Sequence, residues 1–222
     1  MEKITISESI GEVSFLTNTP GKPSYVLLMA HGAGAGMHHV FMNELAATVA
    51  ALAGCVIRYQ FPYMEQKKKL PGSPKPNIET VGRVLQFARD RYPDLPIVLS
   101  GKSYGGRMSS HWVGENADGK AAALVYFGFP LHAPGKASKD RAGHLYDIGI
   151  PQLFIQGTRD ALAQFDLIRE VISGCKNGTL ITIEEGDHSF KVPKKTTGLS
   201  SADVIRQIAH QTNDWILKKV IK

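Results

Sequence analysis

The chain has 222 residues, and 26 Lys and Arg against 20 Asp and Glu leave a formal net charge of +6. A hydrophobic share of 43% and a charged share of 21% are those of a globular chain; they exclude intrinsic disorder, collagen and coiled coil. One domain of this size buries a full core without disulfides, so a single domain over residues 1–222 is expected.

Lys3 to Ser7 and Glu12 to Leu16 alternate around a turn at Gly11, which predicts an antiparallel opening pair. Tyr25 to Ala30 is a continuous apolar run, the pattern of a strand buried on both faces. Phe41 to Ala53 has helical spacing and stops at Gly54, a candidate C-cap. Cys55 to Tyr59 is the next strand, and Ile78 to Arg91 is an amphipathic helix bounded by Pro76-Asn77 and Pro93. Strands at Ile97 to Ser100, Ala121 to Phe127, Gln152 to Gln156 and Leu180 to Ile183 then alternate with helices. Those helices fall at Tyr104 to Glu115, Phe165 to Ile172 and within Ser201 to Ile221. The order predicts an α/β three-layer sandwich with a mostly parallel central sheet, and functional residues after the carboxyl ends of the strands.

No stretch approaches the ~20 apolar residues that a membrane span needs. The segment Met1 to Ile10 has no apolar run, so a cytoplasmic location without membrane attachment is expected. Cys55 and Cys175 are too few for a disulfide framework. Apart from Lys67 to Lys69 and Lys191 to Lys195 the basic residues are scattered, and no aromatic residues interleave them. Nucleic acid is therefore not an expected partner.

Gly101-Lys102-Ser103-Tyr104-Gly105 follows a buried strand and precedes a helix, the context in which G-x-S-x-G is a nucleophile elbow. A serine at so sharp a turn leaves no room for side chains two residues away on either side. A phosphate-binding loop ending in Gly101-Lys102-Ser103 would need glycine at position 96, where Pro96 stands. His31-Gly32-Ala33-Gly34-Ala35-Gly36 follows the first buried strand and suits an oxyanion loop, its small residues letting backbone amides reach a substrate oxygen. As a dinucleotide fingerprint it fails, because Met37 and His39 stand where the last glycine belongs. Asp160 follows the strand at Gln152 to Gln156, and His188 follows the last strand. An acid that orients a histidine, and a histidine that takes a proton from serine, complete the chain order Ser, Asp, His.

These motifs, HGAGAGM, GKSYGGRMS, GTRD and GDHSF, give the chain a resemblance to the α/β-hydrolase superfamily, and within it to small, capless, dienelactone-hydrolase-like members. The resemblance implies Ser103 as nucleophile, His188 as general base and Asp160 as its partner, with the Tyr104 and Ala33 amides as oxyanion hole. It implies a serine hydrolase acting on a small-molecule ester, thioester or small amide, without cofactor or metal. Ser103 stands where dienelactone hydrolases carry cysteine, and no long insertion follows Phe127, so no large cap domain is expected. A similar domain occurs in some animal chromatin-complex subunits, so the alternative is a catalytically silent binding or scaffold module.

Further candidates line the substrate pocket: His31, Gly34, Arg58, Tyr59, Phe61 and Arg107. Arg107 suits either a buried carboxylate partner or an anionic substrate. His38-His39 lack a patterned third metal ligand, and His132 and His144 are assigned to solvent or the pocket rim.

Overall fold

The apolar run Tyr25–Ala30 forms a strand with no exposed residue, and its side chains divide between two cores. Tyr25, Leu27 and Met29 pack to one side, and Val26, Leu28 and Ala30 to the other, as the two-residue period of a strand requires. The computed structural model describes residues 1–116 and 120–221, and within them places this strand inside an eight-stranded sheet.

In chain order the strands are β1 (Glu2–Ser7), β2 (Gly11–Asn18), β3 (Tyr25–Ala30), β4 (Gly54–Tyr59), β5 (Ile97–Lys102), β6 (Ala123–Phe127), β7 (Gln152–Gly157) and β8 (Gly178–Ile183). Their spatial order is β1-β2-β4-β3-β5-β6-β7-β8. β1 and β2 pair antiparallel, as does β2 with β4, and every other pairing is parallel. Helices α1 (Val40–Leu52) and α7 (Ser201–Lys219) cover one face, while α3 (Lys75–Arg91), α4 (Tyr104–Glu115) and α5 (Phe165–Gly174) cover the other. Short helices α2 (Pro62–Glu65) and α6 (Lys194–Thr197) complete the set. This is the α/β three-layer sandwich with a mostly parallel central sheet that the alternation of elements predicts.

The chain leaves β3 for β4 on one side and later reaches β5 on the other, so β3 is the point where the strand order reverses. The helices that follow β3 and β5 pack on opposite faces of the sheet, and it is at such a point that open α/β sheets place a crevice beyond the carboxyl ends of their strands. The ladder pairs Ala30 with Gly101, so His31 leaves the sheet beside Lys102, the last residue of β5.

Residues 128–150 form no large cap. They run as loop and a single 3-10 turn at Gly143–Leu145, and Leu131, Ala142, Leu145 and Ile148 are buried in the core shared with α4.

Gly54 is not a left-handed helix cap. It opens β4, and a Cβ there would lie 2.7 Å from both the Tyr25 ring and Val49, so close packing of α1 on the sheet explains it. α3 begins at Lys75, before the expected Ile78. Pro76 falls in its first turn, where the missing N–H has no intrahelical acceptor to lose. α7 starts at a capping box, with Ser200 and Asp203 exchanging side chain-to-backbone hydrogen bonds.

Candidate active site

Ser103 stands between the last residue of β5 and the first of α4, with φ 50° and ψ −112°. Left-handed backbone at a non-glycine residue costs on the order of 1–3 kcal/mol, and the packing around the turn holds it there. A Cβ on Gly101 would lie 2.3 Å from the Gly105 carbonyl carbon, and one on Gly105 would lie 2.4 Å from the Ala30 oxygen. Both glycines are therefore required by the turn, as the motif predicts. The Ser103 amide donates to the Phe127 carbonyl (3.1 Å), and Arg107 N–H closes the first helical turn onto Ser103 (3.1 Å).

Asp160 and His188 arrive from the adjoining strands β7 and β8. Their loops are pressed together: a Cβ on Gly157 would lie 2.2 Å from the Gly186 oxygen, and Arg159 N–H donates to that oxygen at 2.9 Å. Asp187 fastens the histidine loop by accepting from the amides of Ser189 (2.8 Å) and Lys191 (2.9 Å). His188 Nδ1 lies 2.8 Å from Asp160 Oδ2, and His188 Nε2 lies 2.8 Å from Ser103 Oγ. The network sets the tautomer: Nδ1–H donates to the carboxylate, and Nε2 accepts from the serine hydroxyl.

The Asp160 side chain is completely buried, whereas that of His188 remains 23% exposed. Asp160 also accepts from the Gln156 side-chain amide (2.6 Å) and the Leu162 backbone amide (2.8 Å). Gln156 in turn accepts from Phe129 N–H (3.0 Å), so the acid is held from three directions. Burial pushes the His188 pKa down, assisted by the Lys102 charge and opposed by the Asp160 hydrogen bond. The imidazole is therefore neutral near pH 7, the form that can take a proton.

Loop 31–37 runs against the elbow. A Cβ on Gly32 would lie 3.9 Å from the Ser103 Cβ and 3.6 Å from the Lys102 oxygen. Gly34 (φ 69°) donates its amide to the Tyr63 hydroxyl at 3.1 Å, and Met37 donates to the Gln60 side chain at 2.9 Å. Ala33 is exposed in this loop, and Tyr104 is the first residue of α4, where backbone N–H groups have no intrahelical acceptor.

The other sequence candidates separate by where their side chains turn. His31 is completely buried, its ring bonded to the Gly32 carbonyl (2.8 Å) and accepting from Phe61 N–H (3.1 Å). Tyr59 and Phe61 are completely buried in the core on the α3 and α4 side. Arg58 is buried too, and donates to the Met37 carbonyl (3.2 Å), to Asn18 (3.0 Å) and to Asn43. His31, Phe61 and Arg58 brace the loop through these bonds, Tyr59 packs beside Phe61, and all four side chains turn into the interior. Arg107 is partly buried beside His111, and no carboxylate pairs with it among the described residues.

His132 and His144 are not solvent residues. His132 is 6% exposed and bridges the Ala133 carbonyl and Gln164 N–H. His144 bonds Ser110 at 2.8 Å and stacks on His111 with ring centroids 4.0 Å apart. His39 accepts from Phe41 N–H and caps α1. Among the described residues no three His, Cys, Asp or Glu side chains form a metal-binding group.

Sequence reasoning missed Gln156, Tyr63 and Lys102. The first and last carried a signal, since each is a long polar side chain near the carboxyl end of a largely apolar, buried strand.

A family model described as an alpha/beta hydrolase domain matches residues 23–217. Among solved structures, an alpha-beta serine hydrolase homologue from Coxiella burnetii superposes with TM-score 0.73 at 16% identity, covering 95% of this chain and 96% of that one. A lidless α/β serine hydrolase from Xanthomonas campestris gives 0.71 at 17%, over 96% and 93%. A dienelactone hydrolase from Anabaena variabilis gives 0.77 at 13%, over 99% and 96%. At these identities the likeness is one of fold.

Proposed function

The chain belongs to the alpha/beta hydrolase domain family, and from that premise we propose that it is a carboxylesterase-like serine hydrolase that cleaves a small ester, thioester or amide through an acyl-enzyme on Ser103. The observation that carries the proposal is a single imidazole bonded at 2.8 Å both to a serine on a left-handed elbow and to a buried aspartate.

Ser103 Oγ attacks the substrate carbonyl carbon while its proton passes to His188 Nε2. Charge moves onto the carbonyl oxygen, which the Ala33 and Tyr104 amides receive. Asp160 holds the ring and stabilises the imidazolium without taking its proton. His188 then protonates the leaving group as the carbon–heteroatom bond breaks, leaving an ester on Ser103. Water attacks that ester, with its proton going to His188 Nε2. Collapse of the second tetrahedral intermediate returns a proton to Ser103 and releases the carboxylic acid. The absence of a large cap fits small, soluble substrates.

Intact-mass analysis after a fluorophosphonate probe tests this. Wild type should gain one adduct, and Ser103→Ala and His188→Ala should gain none. An unlabelled, folded wild type would instead support a binding or scaffold module.

A further inference from the structure

Within the catalytic reading above, on which this inference rests, one charged group near the reacting atoms has no role. Lys102 immediately precedes Ser103 and closes β5. Its side chain turns inward beneath the histidine loop, and Nζ donates to the His188 carbonyl at 2.5 Å. The same ammonium lies 5.0 Å from the centroid of the Phe190 ring, two residues beyond His188. Gly128 (φ 71°) leaves the space it occupies, since a Cβ there would lie 3.0 Å from Nζ and 3.6 Å from Asp160 Oδ2. No ion pair among the described residues includes Lys102.

We propose that Lys102 is a positioning residue for the hydrolytic reaction, clamping the His188 backbone against the elbow and placing a positive charge beneath the imidazole. The nucleophile's own neighbour in sequence thus fixes where the general base stands. The clamp joins β5 to the loop after β8, two segments that share no ladder. A flexible point charge suits the position better than a planar fork, because the ammonium has a single carbonyl acceptor and one ring beside it among the described residues.

Charge is the second half of the role. The groups that act on His188 are Asp160 from the loop after β7, Asp187 from its own loop and Lys102 from β5. Both aspartates favour the imidazolium, whereas burial and, among these charged groups, Lys102 oppose it, so the lysine adds to burial in extending the neutral, proton-accepting form to lower pH. The lysine itself is pushed down to about 8 by burial, against the pull of Asp160 and Asp187.

Lys102→Met and Lys102→Gln separate the two halves. Neither carries charge, and Gln retains a donor for the His188 carbonyl. The pKa of His188, followed by ¹⁵N NMR, should rise in both folded variants, and the acid limb of kcat/KM on p-nitrophenyl acetate should move to higher pH with it. Lys102→Met should lose about tenfold or more in kcat and Lys102→Gln less, the difference reporting the clamp. A folded Lys102→Met with the wild-type His188 pKa overturns the proposal. If neither variant folds, wild type decides: the His188 resonances should show a second displacement as Lys102 titrates near pH 8, and a single-step titration overturns the proposal. The NMR measurement needs no turnover. Absent fluorophosphonate labelling would therefore sink the hydrolase reading alone, and an unmoved His188 would sink the lysine alone.

Discussion

Two histidines flank the crevice, and their rings are bonded in nearly the same pattern. His188 Nδ1 faces a carboxylate and Nε2 a serine hydroxyl; His31 Nδ1 faces the Gly32 carbonyl and Nε2 the Phe61 amide. Burial holds both below the ordinary histidine pKa. The difference lies in what their partners can do. A hydroxyl can give up its proton and a carboxylate can stabilise the charge that results, whereas an amide and a carbonyl can only hold the ring still. His188 also keeps 23% of its side chain exposed, while His31 has no access to solvent at all. A neutral, depressed imidazole is therefore not a mark of catalysis by itself; the proton inventory of its neighbours is.

The sharpest way to break this comparison is to remove each ring in turn. His188→Ala or Ser103→Ala should lower esterase activity by about 10⁴-fold or more with the fold retained. Asp160→Asn comes next. Oδ2 accepts from both His188 and Gln156 and Oδ1 accepts from Leu162, so an amide NH2 in either orientation faces a donor. Activity should fall by about 10²–10⁴-fold, measured as the rate of fluorophosphonate adduct formation.

His31 should instead appear in stability. Its folded pKa is pushed down to about 4, against an unfolded value of 6.5. Between those values the unfolded chain binds a proton that the folded chain refuses, so stability rises with pH there and is fully present above 6.5. Acidification from pH 6.5 to 4 should remove up to about 3 kcal/mol in urea melts. In His31→Leu that slope should shrink, while stability at pH 7 falls by about 2 kcal/mol because the Gly32 carbonyl and Phe61 amide lose their partner. An undiminished slope would assign the acid loss to other groups, with His144, held at about 4 by burial, His111 and Arg107, the first to test.

How much of this was legible in the sequence follows the same division. Ser103, Asp160 and His188 each follow a recognisable strand, and Gly101 and Gly105 betray the elbow because the steric demand is local. Where the backbone leaves the sheet does not say which way a side chain turns. Arg58 and Tyr59 end β4 next to the crevice, yet the first reaches Asn18, Met37 and Asn43, and the second enters the core. Gln156 and Lys102 bond to atoms that only the assembled ladders bring near, so their polarity was visible but their partners were not. Gly54 misled for a related reason: helix-end glycine has two explanations, and the Tyr25 ring that selects one lies on another strand.

The smallest expected effect tests whether bracing residues matter to rate at all. Tyr63 is 5% exposed, and its hydroxyl accepts the Gly34 amide in the loop that carries Ala33. Tyr63→Phe keeps the ring that stacks on Phe61, with centroids 6.3 Å apart, and removes only that acceptor. One neutral hydrogen bond contributes about 0.5–1.5 kcal/mol. If the loop must be held for its amide to meet the substrate oxygen, fluorophosphonate labelling should slow by about two- to tenfold, alongside the drop of a few degrees at most in unfolding midpoint that one lost hydrogen bond brings. If labelling keeps its wild-type rate, the Gly32 contact with the elbow fixes the loop without Tyr63, and the bracing set contributes to folding alone.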